Sequence, residues 1–519
     1  MLAAMPDSAP SPVSAGGASP RAGGDACPGT LRLHRADDGA LARVRIPGGV
    51  LDPGRADALL VAAERFGDGE LHLTSRGNVQ LRGLGTECGG GLAALLTDAG
   101  LLPSAAHERA RNIVASPLAG LDGSPSLAGW LAELDRLVCG SPAAAALSGR
   151  FLFALDAGGG DVDALGADVT LIAEGPDALL RIGAEDEVFR LPSSDAAPRA
   201  ALRAAEAFLR AAHSTAATAS QGSGTPQDSG STQDSGASRD LAPQHSAAWR
   251  VKDLPDDVRT ELVRSIGATA GPAVHRPRPR PRKAAAPGPV GATAAVSVGV
   301  PLGRLTPAQW RLLTETARRY GGELRLTPWR GIVVPGPFPR QEAAEALRAL
   351  AGAGLITTAD SPWTGVGACI GHPGCAKSLA DVRAEAGAAV AAEAGAAVGP
   401  PGRLPVYWSG CERRCGHPHG EWIDVVATPD GHRTGSRTYG ESGGSPRRPY
   451  GTTTRRGWRL RWPTPAPEHP ESRHPLRFPP PRRVPKPRRV QSRSPQRPAE
   501  PSAPQSPAPQ SLSTRSPHT

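Results

Sequence analysis

Four cysteines in the C-terminal half of this 519-residue chain have the spacing of a metal-binding set. Cys369 and Cys375 occur in GACIGHPGC, and Cys411 and Cys415 in SGCERRCGHP, so two close pairs are separated by 35 residues. Each iron of a 4Fe-4S cluster takes one thiolate, and two short loops can present four thiolates from opposite sides. Neighbouring glycines allow the backbone to approach the cluster closely. The pattern predicts a 4Fe-4S cluster and electron transfer.

Zinc and disulfides are the alternative uses of these cysteines. A structural zinc site usually has Cys-x2-Cys or Cys-x4-Cys spacing, and neither pair has it. Disulfides need an oxidising compartment, and the N-terminal MLAAMPDSAPSPVSAGG lacks the basic start and apolar run of a secretory signal. Cys27, Cys88 and Cys139 are scattered, and we expect them to be small core or surface residues.

The positive charge of the chain is concentrated in its tail. The formal net charge is +10, but residues 436–519 contain 17 Lys and Arg against 4 Asp and Glu, which leaves the first 435 residues at −3. Because the tail is rich in Pro, Arg and Ser, it is predicted to be disordered. It has no fold or aromatic stacking pattern for specific nucleic-acid recognition, so no specific nucleic-acid partner is expected.

Low-complexity sequence separates the chain into two halves. Residues 214–245 have the composition of a flexible linker, and the Pro-rich residues 275–291 have that of a stiffer one. No apolar run is long enough to cross a membrane. We therefore expect a cytoplasmic protein with no membrane partner.

The two halves are related by an internal duplication. ARVRIPGGVLDPGRADALLVAAERFGDGELHLTSRGNVQLRGL aligns with AVSVGVPLGRLTPAQWRLLTETARRYGGELRLTPWRGIVVPGP about 254 residues later. In each copy an alternating strand precedes a cap and a proline, Asp52-Pro53 or Thr306-Pro307, that begin a helix. The helix leads into Gly-Glu-Leu-x-Leu-Thr, a turn, a further strand and a second helix. This order predicts an α+β fold of duplicated ferredoxin-like half-domains.

Together these features resemble the sulfite and nitrite reductase superfamily. The resemblance rests on the duplicated half-domain, both cysteine pairs, LHLTSRGNVQL and RNIVASPLAG, and it covers residues 27 to about 430. It implies two half-domains paired about a pseudo-twofold axis, with cluster-binding α/β segments. In that family a sirohaem lies between the half-domains, and its iron is bridged to the cluster through the last cysteine. Cys415 matches that cysteine.

With this resemblance the chain divides into seven predicted segments. They are a disordered N-terminus (1–26), a first half-domain (27–110), a substrate- or tetrapyrrole-binding domain (111–213), a low-complexity linker (214–290), a second half-domain (291–360), a 4Fe-4S cluster-binding domain (361–435) and a disordered basic tail (436–519).

Within the superfamily the chain more closely resembles the precorrin-3B synthases, oxygen-using enzymes of aerobic cobalamin biosynthesis. CPGTLRLHRADDGALARVRIPGG, ELRLTPWRGIVVPG and CERRCGHPHGEWIDVVATPDG carry this resemblance. In LSGRFLFALD, Arg150 is retained, but Leu152 stands where sulfite reductases place a second lysine for the anion. The resemblance implies an oxidoreductase that hydroxylates precorrin-3A and closes a γ-lactone. Its partners would be dioxygen and an external electron donor, either a ferredoxin or an NAD(P)H-dependent reductase.

The resemblance also implies a tetrapyrrole pocket. Precorrin-3A carries many carboxylates, which arginine binds in a bidentate manner better than lysine does. For any single arginine, pairing with a surface Asp or Glu is the alternative. The predicted substrate- or tetrapyrrole-binding residues are Arg76, Asn78, Gln80, Arg111, Asn112, Arg150 and Arg330, and Arg82 and Arg109 are further arginines in or beside the same motifs. No catalytic residue is assigned.

Two further questions stay open from the sequence. His372, His417 or His419 could ligate an additional non-haem iron, since imidazole suits that metal, or could hydrogen bond to cluster sulfur or substrate. The function could also be that of a sirohaem-dependent sulfite or nitrite reductase. A third class is a non-enzymatic module in which the cysteines hold zinc and the basic tail binds a partner.

Overall fold

The computed structural model describes most of the chain between the N-terminal segment and the basic tail. The described residues are 27–85, 88–221, 248–280, 285–291, 294–393, 404–418 and 420–438. The predicted disordered N-terminus, the tail beyond residue 438 and residues 222–247 of the predicted linker lie outside them. No helix in these described ranges has the length and apolarity needed to cross a membrane.

The first half-domain has the predicted order of strand, helix, strand, strand and helix. Its elements are β1 (His34–Ala36), β2 (Gly39–Val44), β3 (Val50–Leu51), α1 (Pro53–Phe66), β4 (Leu71–Leu73), β5 (Val79–Leu84) and α2 (Gly89–Asp98). The Asp52 carboxylate accepts a hydrogen bond from Arg55 N at 2.9 Å and caps α1. Leu59, Leu60 and Ala63 on one face of α1 are buried, as their spacing predicts.

An α/β domain follows the first half-domain. Its elements are β6 (Ile113–Ala115), α3 (Ala128–Gly140), β7 (Phe153–Asp156), β8 (Val169–Glu174), β9 (Asp177–Ile182), β10 (Glu187–Arg190), α4 (Ala197–Gln221), α5 (Asp256–Ala270) and β11 (Ala273–His275). The strands form one sheet in the order β11-β10-β9-β8-β7-β6, in which β6, β7 and β8 are parallel.

The structure corrects the predicted linker at 214–290. Residues 197–221 form α4 and residues 256–270 form α5, and both helices contribute side chains to the core of the α/β domain. Residues 273–275 add an edge strand to its sheet, and Arg276 donates a hydrogen bond to Glu174 at 3.2 Å. The Pro-rich composition was misleading because an edge strand and its extension need few backbone donors.

The second half-domain repeats the first. Its elements are β12 (Gly288–Val290), β13 (Ala295–Gly299), β14 (Arg304–Leu305), α6 (Pro307–Tyr320), β15 (Leu324–Leu326), β16 (Gly331–Pro335) and α7 (Arg340–Gly352). Thr306 and Gln309 form a capping box at the start of α6. The predicted α+β class and the duplication are therefore confirmed.

A four-stranded sheet carries the cysteine loops. Its elements are β17 (Val366–Ala368), α8 (Val382–Glu393), β18 (Val406–Ser409), β19 (Glu421–Thr428) and β20 (Gly431–Thr438). The order is β17-β18-β19-β20, and β17, β18 and β19 are mutually parallel. Residues 436–438, which the sequence assigns to the tail, complete β20.

The two half-domains exchange short strands. β14 of the second half pairs with β4 of the first, and β3 of the first half pairs with β15 of the second. The helices α1 and α6 pack together, and the buried Trp310 indole donates to Ala56 O at 2.8 Å. One hydrophobic core therefore includes apolar residues of both halves. This arrangement makes the pair a single folding unit rather than two tethered domains.

Candidate cysteine cluster site and cationic cavity

The sheet places the starts of both cysteine loops at the same end of neighbouring strands. Cys369 directly follows β17, and Cys411 follows β18 after Gly410. Because β17 and β18 are parallel neighbours, the chain leaves both strands at the same end of the sheet. Cys369 N donates to Trp408 O at 2.9 Å and extends the ladder into the first loop. The order of the strands thus brings together cysteines that are far apart in the sequence.

Backbone hydrogen bonds join the two cysteine loops. Gly410 N donates to the Cys369 sulfur at 3.2 Å. Leu379 N, which follows the Cys375 loop, donates to Gly410 O at 2.9 Å, and Ser378 N donates to Cys375 O at 2.9 Å. Amide donors aimed at cysteine sulfur are a feature of iron–sulfur sites, where they tune the potential. The loops are therefore held as one structure.

The thiols are chemically suited to a metal cluster. All seven cysteines are free of disulfides; Cys369, Cys375 and Cys411 are half-buried and Cys415 is exposed. Burial raises the pKa of the Cys369 thiol, the amides of Gly410 and Gly371 oppose the rise, and the nearby Cys415 and Cys411 thiols add to it. A bound metal would displace the thiol protons and offset this mutual repulsion. Cys369, Cys411 and Cys415 are close enough to interact, and together with Cys375 they offer the donor type that a 4Fe-4S cluster requires.

Side chains from outside the loops hold the cysteine segments. Arg82 on β5 donates to Gly374 O at 2.9 Å and forms a bidentate ion pair with Asp38. Arg383 on α8 donates to Cys369 O at 3.2 Å, and burial, together with nearby arginines, lowers its pKa to about 10. The first half-domain, which carries no cysteine of the set, thus fixes the residue next to Cys375.

A cavity of about 550 Å³ lies beside the first half-domain. This volume is within the range of small-molecule sites. Its charged lining has six cationic side chains and one carboxylate, so it favours a polyanionic ligand. The residues that line it are Cys27, Pro28, Arg43, Arg45, Thr74, Ser75, Arg76, Arg150, Arg250, Lys252 and Asp253.

Two of the cavity cations come from β2 and the residue that follows it, Arg43 and Arg45. Ala42 and Val44 point into the half-domain core, and because side chains alternate along a strand, Arg43 and Arg45 point to the opposite face. Arg45 donates to Gly149 O at 2.9 Å, which connects β2 to the α/β domain. Neither arginine is among the residues predicted to bind substrate, although the alternation in ARVRI is the signal that identifies them.

Arg76 and Arg150, two of the predicted binding residues, line the cavity, and their contact with a tetrapyrrole stays a prediction. Arg76 donates to Arg150 O at 3.3 Å. Burial lowers the pKa of Arg76 to about 10, and the neighbouring Arg250, Arg45 and Arg43 add to the effect. Crowding of guanidinium groups disfavours their charged forms, and an anionic ligand would relieve it. The Arg150 guanidinium stacks over the Trp249 ring at 4.3 Å.

Residues 249–253 form a wall of the cavity that the sequence analysis assigned to the linker. Arg250 donates to the buried Asp168 carboxylate at 2.9 Å, and Val251 N donates to it at 2.8 Å. The same carboxylate accepts from Leu152 N at 2.8 Å. Asp168 therefore ties this wall to the segment before β7, which carries Arg150. A composition-based linker assignment could not anticipate these long-range bonds.

Asn78 and Asn112 are fully buried in a polar network. Ile46 N donates to Asn78 Oδ1 at 2.9 Å, and the Asn78 amide donates to Asn112 Oδ1 at 3.2 Å. Arg45 also donates to Asn112 Oδ1 at 3.2 Å, and the Asn112 amide donates to Phe151 O at 2.8 Å. The two amides thus bond directly to Arg45 and to the backbone beside Arg45 and Arg150, and they help to hold these cavity arginines in place.

The remaining predicted residues are distributed around these two sites. Arg111 is buried and pairs with Asp135 through two hydrogen bonds of 2.8 Å, away from the cavity lining. Gln80 is half-buried and stands opposite Arg43 in the β2–β5 register. Arg330 donates to Gly416 O at 3.4 Å and so faces the cysteine loop. A tetrapyrrole contact for these residues remains a prediction.

The histidines near the cysteines have different environments. His372 is exposed. The His417 ring stacks on Trp422 at 4.8 Å with an angle of 12°, and its Nδ1 lies 2.9 Å from Pro418 O. His419 lies outside the described residues. Metal ligation by any of the three stays a prediction.

Leu152 is buried in an apolar cluster beside the α/β sheet. Its neighbours include Val114, Ala154 and Val162, and the Trp329 side chain packs against the cluster. A lysine side chain in this environment would pay a large desolvation penalty. Leu152 therefore contributes to apolar packing and places no charge at this position.

A comparison with known proteins finds a family model that matches the two half-domains. The sequence profile described as the nitrite/sulfite reductase ferredoxin-like half domain matches residues 33–88 and 287–353, which are the two duplicated units. The solved structure of the Mycobacterium tuberculosis NirA protein superposes with a TM-score of 0.54 at 20% identity, covering 77% of this chain and 73% of that one. This likeness shows a shared fold.

Two curated relatives extend the comparison. The chain is 26% identical over 411 residues to a precorrin-3B synthase of Sinorhizobium sp, covering 78% of this chain and 81% of that protein. It is 39% identical over 82 residues to the ferredoxin–nitrite reductase of Leptolyngbya laminosa, which is 15% of this chain and 16% of that protein. Both relatives are enzymes, and the expectation of an oxidoreductase is confirmed. Two segments of the chain match the nitrite/sulfite reductase ferredoxin-like half domain, and the chain is similar to a precorrin-3B synthase along most of its length.

Proposed function

We propose that this chain is a precorrin-3B synthase that adds oxygen to precorrin-3A in cobalamin biosynthesis. The similarity carries the proposal, because it extends over 411 residues and covers 78% of this chain and 81% of a curated precorrin-3B synthase. The reaction takes one oxygen atom from dioxygen into the product as a hydroxyl group. The other atom leaves as water, which consumes two electrons and two protons from an external donor, and a substrate carboxylate closes the lactone.

The cavity supplies the binding part of this function. Arg43, Arg76, Arg150 and Lys252 offer positive charge to the carboxylates around a tetrapyrrole rim. Arg76 gains most from a bound anion, since its pKa is already lowered by burial among other guanidinium groups. The orienting network behind the cavity fixes these side chains before substrate arrives. We infer that charge number and position, rather than any single arginine, select the substrate.

Cys369, Cys375, Cys411 and Cys415 would hold the 4Fe-4S cluster. When bound, such a cluster supplies one-electron transfer. The amide of Gly410, at 3.2 Å from the Cys369 sulfur, would stabilise the added negative charge at the thiolate. The electron donor would be a ferredoxin or an NAD(P)H-dependent reductase, and the protein would work in the cytoplasm. An additional iron at the histidines or a bound sirohaem is the alternative, which the iron count and the visible spectrum decide.

Sulfite or nitrite reduction is the second candidate function. It is favoured by the 39% local identity to a nitrite reductase and by the fold shared with NirA. The buried Leu152 argues against it, because an anion would lose a charge-assisted partner at that position. The cationic cavity fits both functions, since sirohaem and precorrin-3A are both polycarboxylates.

The test is turnover by the anaerobically purified protein. Iron, sulfide and the visible spectrum are measured first, and then precorrin-3A is added with a reductant, with and without ¹⁸O₂. We expect four irons per chain, no sirohaem bands, and a product that carries one ¹⁸O atom only when oxygen is present. Sirohaem bands with sulfite or nitrite turnover, and no change in precorrin-3A, would overturn the proposal in favour of a reductase.

Paired variants separate the cavity from general charge effects. Arg76→Met should weaken precorrin-3A binding at least tenfold while leaving iron content unchanged, because one charge-assisted contact is lost. The control is Arg311→Met, an exposed arginine that pairs with Glu64 on the helix surface. It removes the same charge away from the cavity lining, so its substrate affinity should match that of the parent protein.

A further inference from the structure

The two half-domains contain equivalent hairpin loops, in which a glycine of the first loop is replaced by an arginine in the second. Leu73 faces Val79 across the first hairpin, and Leu326 faces Ile332 across the second, so both loops have five residues. In this register Gly77 is equivalent to Arg330. An alignment of the two Arg-Gly dipeptides in the sequence would instead match Arg330 with Arg76.

Arg330 has a backbone conformation that is unusual for a non-glycine residue. Its φ is 59°, in the left-handed region, and Gly77 at the equivalent position has a φ of 65°. An L side chain is disfavoured there because its Cβ crowds the following carbonyl, whereas glycine adopts this conformation freely. Residues held in this way often cluster at functional sites, where surrounding contacts compensate the strain.

Two glycines make room for the Arg330 side chain. A Cβ atom at Gly303 would lie 2.6 Å from Arg330 Cδ, so any side chain at position 303 would clash with the aliphatic part of the arginine. At the other end, Arg330 Nη2 donates to Gly416 O at 3.4 Å, and a Cβ atom at Gly416 would lie 2.8 Å from that nitrogen. The side chain therefore runs from the hairpin to the segment that follows Cys415.

Tyr407 reaches the same segment from β18. Its hydroxyl donates to Cys415 O at 2.6 Å, and its ring is 2% exposed. A Cβ atom at Gly367 would lie 2.9 Å from the ring, so the ring has little freedom to move.

We propose that Arg330 and Tyr407 form a clamp that fixes the Cys415–Gly416 segment and sets the position and redox properties of the Cys415 thiolate. Both are positioning residues. Tyr407 orients the carbonyl of the ligand residue itself, and Arg330 holds the next carbonyl and places a cation beside the loop. The inference deepens the proposed function, since it rests on Cys415 being a cluster ligand.

Arg330→Gly is the decisive variant because it separates the clamp from folding. Glycine satisfies the backbone as Gly77 does in the first hairpin, so the apo-protein should melt at the same temperature or higher. Removal of the cation should favour the oxidised cluster threefold to tenfold. At 59 mV per tenfold for one electron, the midpoint potential should then become about 30–60 mV more negative.

Further variants test each half of the clamp. Tyr407→Phe keeps the ring but removes the donor, and it should raise the alkylation rate of Cys415 in the apo-protein without changing that of Cys411. Arg330→Lys should restore most of the potential but not the bond to the carbonyl. The charge control is Arg319→Gln, which removes an arginine exposed on α6 and paired with Glu342; its potential should not change.

The outcomes distinguish the clamp from the proposed function. A parent protein that takes up no cluster refutes the proposed cluster function, and with it the basis of the clamp. A parent protein with a reducible cluster, together with Arg330→Gly and Tyr407→Phe proteins whose potential, electron paramagnetic resonance spectrum and Cys415 alkylation are unchanged, refutes the clamp alone. An Arg330→Gly protein that melts well below the parent also contradicts it, because the arginine would then be structural.

Discussion

Replacement of Arg250 by methionine should loosen the cavity wall formed by residues 249–253. Arg250 is 14% exposed, and it donates at 2.9 Å to Asp168, whose side chain is 2% exposed. Methionine keeps the volume but leaves a buried carboxylate without its charge partner. Removal of one member of a buried pair typically costs about 3–5 kcal/mol. We expect Arg250→Met to cost that much local stability.

The Asp168 carboxylate also accepts two backbone hydrogen bonds, and a double-mutant cycle separates these bonds from the ion pair with Arg250. Leu152 N and Val251 N both donate to it at 2.8 Å. Asp168→Asn removes the buried charge but keeps only one acceptor oxygen, so one of the two backbone N–H groups loses its partner and this variant should also destabilise the wall. In the Arg250→Met/Asp168→Asn protein the unpaired charge is absent, and the combined cost should fall short of the sum by about 1–3 kcal/mol.

Hydrogen exchange measured by mass spectrometry is the suitable assay, because it reports local opening within a multidomain chain. Peptides that contain residues 249–254 should exchange faster in Arg250→Met, while those from β13 and β16 should not change. The matched control is Arg264→Met, whose partner Glu261 is exposed on the same helix, and its cost should stay within about 0.5 kcal/mol. Equal exchange in Arg250→Met and the control would refute the anchoring role of Asp168.

Burial raises the pKa of Asp161 from 3.8 to about 6, so the protonated carboxyl contributes stability below pH 4 that is lost as the pH rises through 6. Asp161→Asn should therefore have a free energy of unfolding about 2 kcal/mol higher than that of the parent at pH 8 and equal to it at pH 4. Cys415→Ser should reduce iron per chain, while Cys139→Ser should not change it; equal loss in both would contradict the ligand assignment. Trp310→Phe should cost about 1–3 kcal/mol in thermal unfolding, because Ala56 O loses its buried donor, and an unchanged melting temperature would contradict this role.

The duplicated framework was predictable because its signals are local. Asp52 and Thr306 cap the two helices as their types predict, and the apolar stripes of both helices are buried. The strand exchange was not predictable. β3 and β14 are two residues long, so they carry no periodicity, and each pairs with the other half of the chain. Such pairing is decided by packing between halves and not by the residues of the strand.

The candidate site was predictable only in part, for a related reason. The four cysteines are recognisable from their spacing, and Arg76 and Arg150 from motifs. Arg250 and Lys252 follow a low-complexity stretch, where composition indicates a linker, and their place in the cavity depends on a carboxylate more than 80 residues away. Long-range ion pairs leave no pattern in a single sequence.

The two hairpin loops show how one duplicated geometry acquires different tasks. In the first loop Gly77 adopts the positive φ, and Arg76 before it lines the cavity. In the second loop Arg330 adopts the same φ and faces the cysteine segment. Dependence also runs in the other direction, because Arg82 of the first half holds Gly374 beside a predicted cluster ligand. Since each half positions a part of the other's site, neither half alone could assemble the cavity and the cluster loops. The function belongs to the pair.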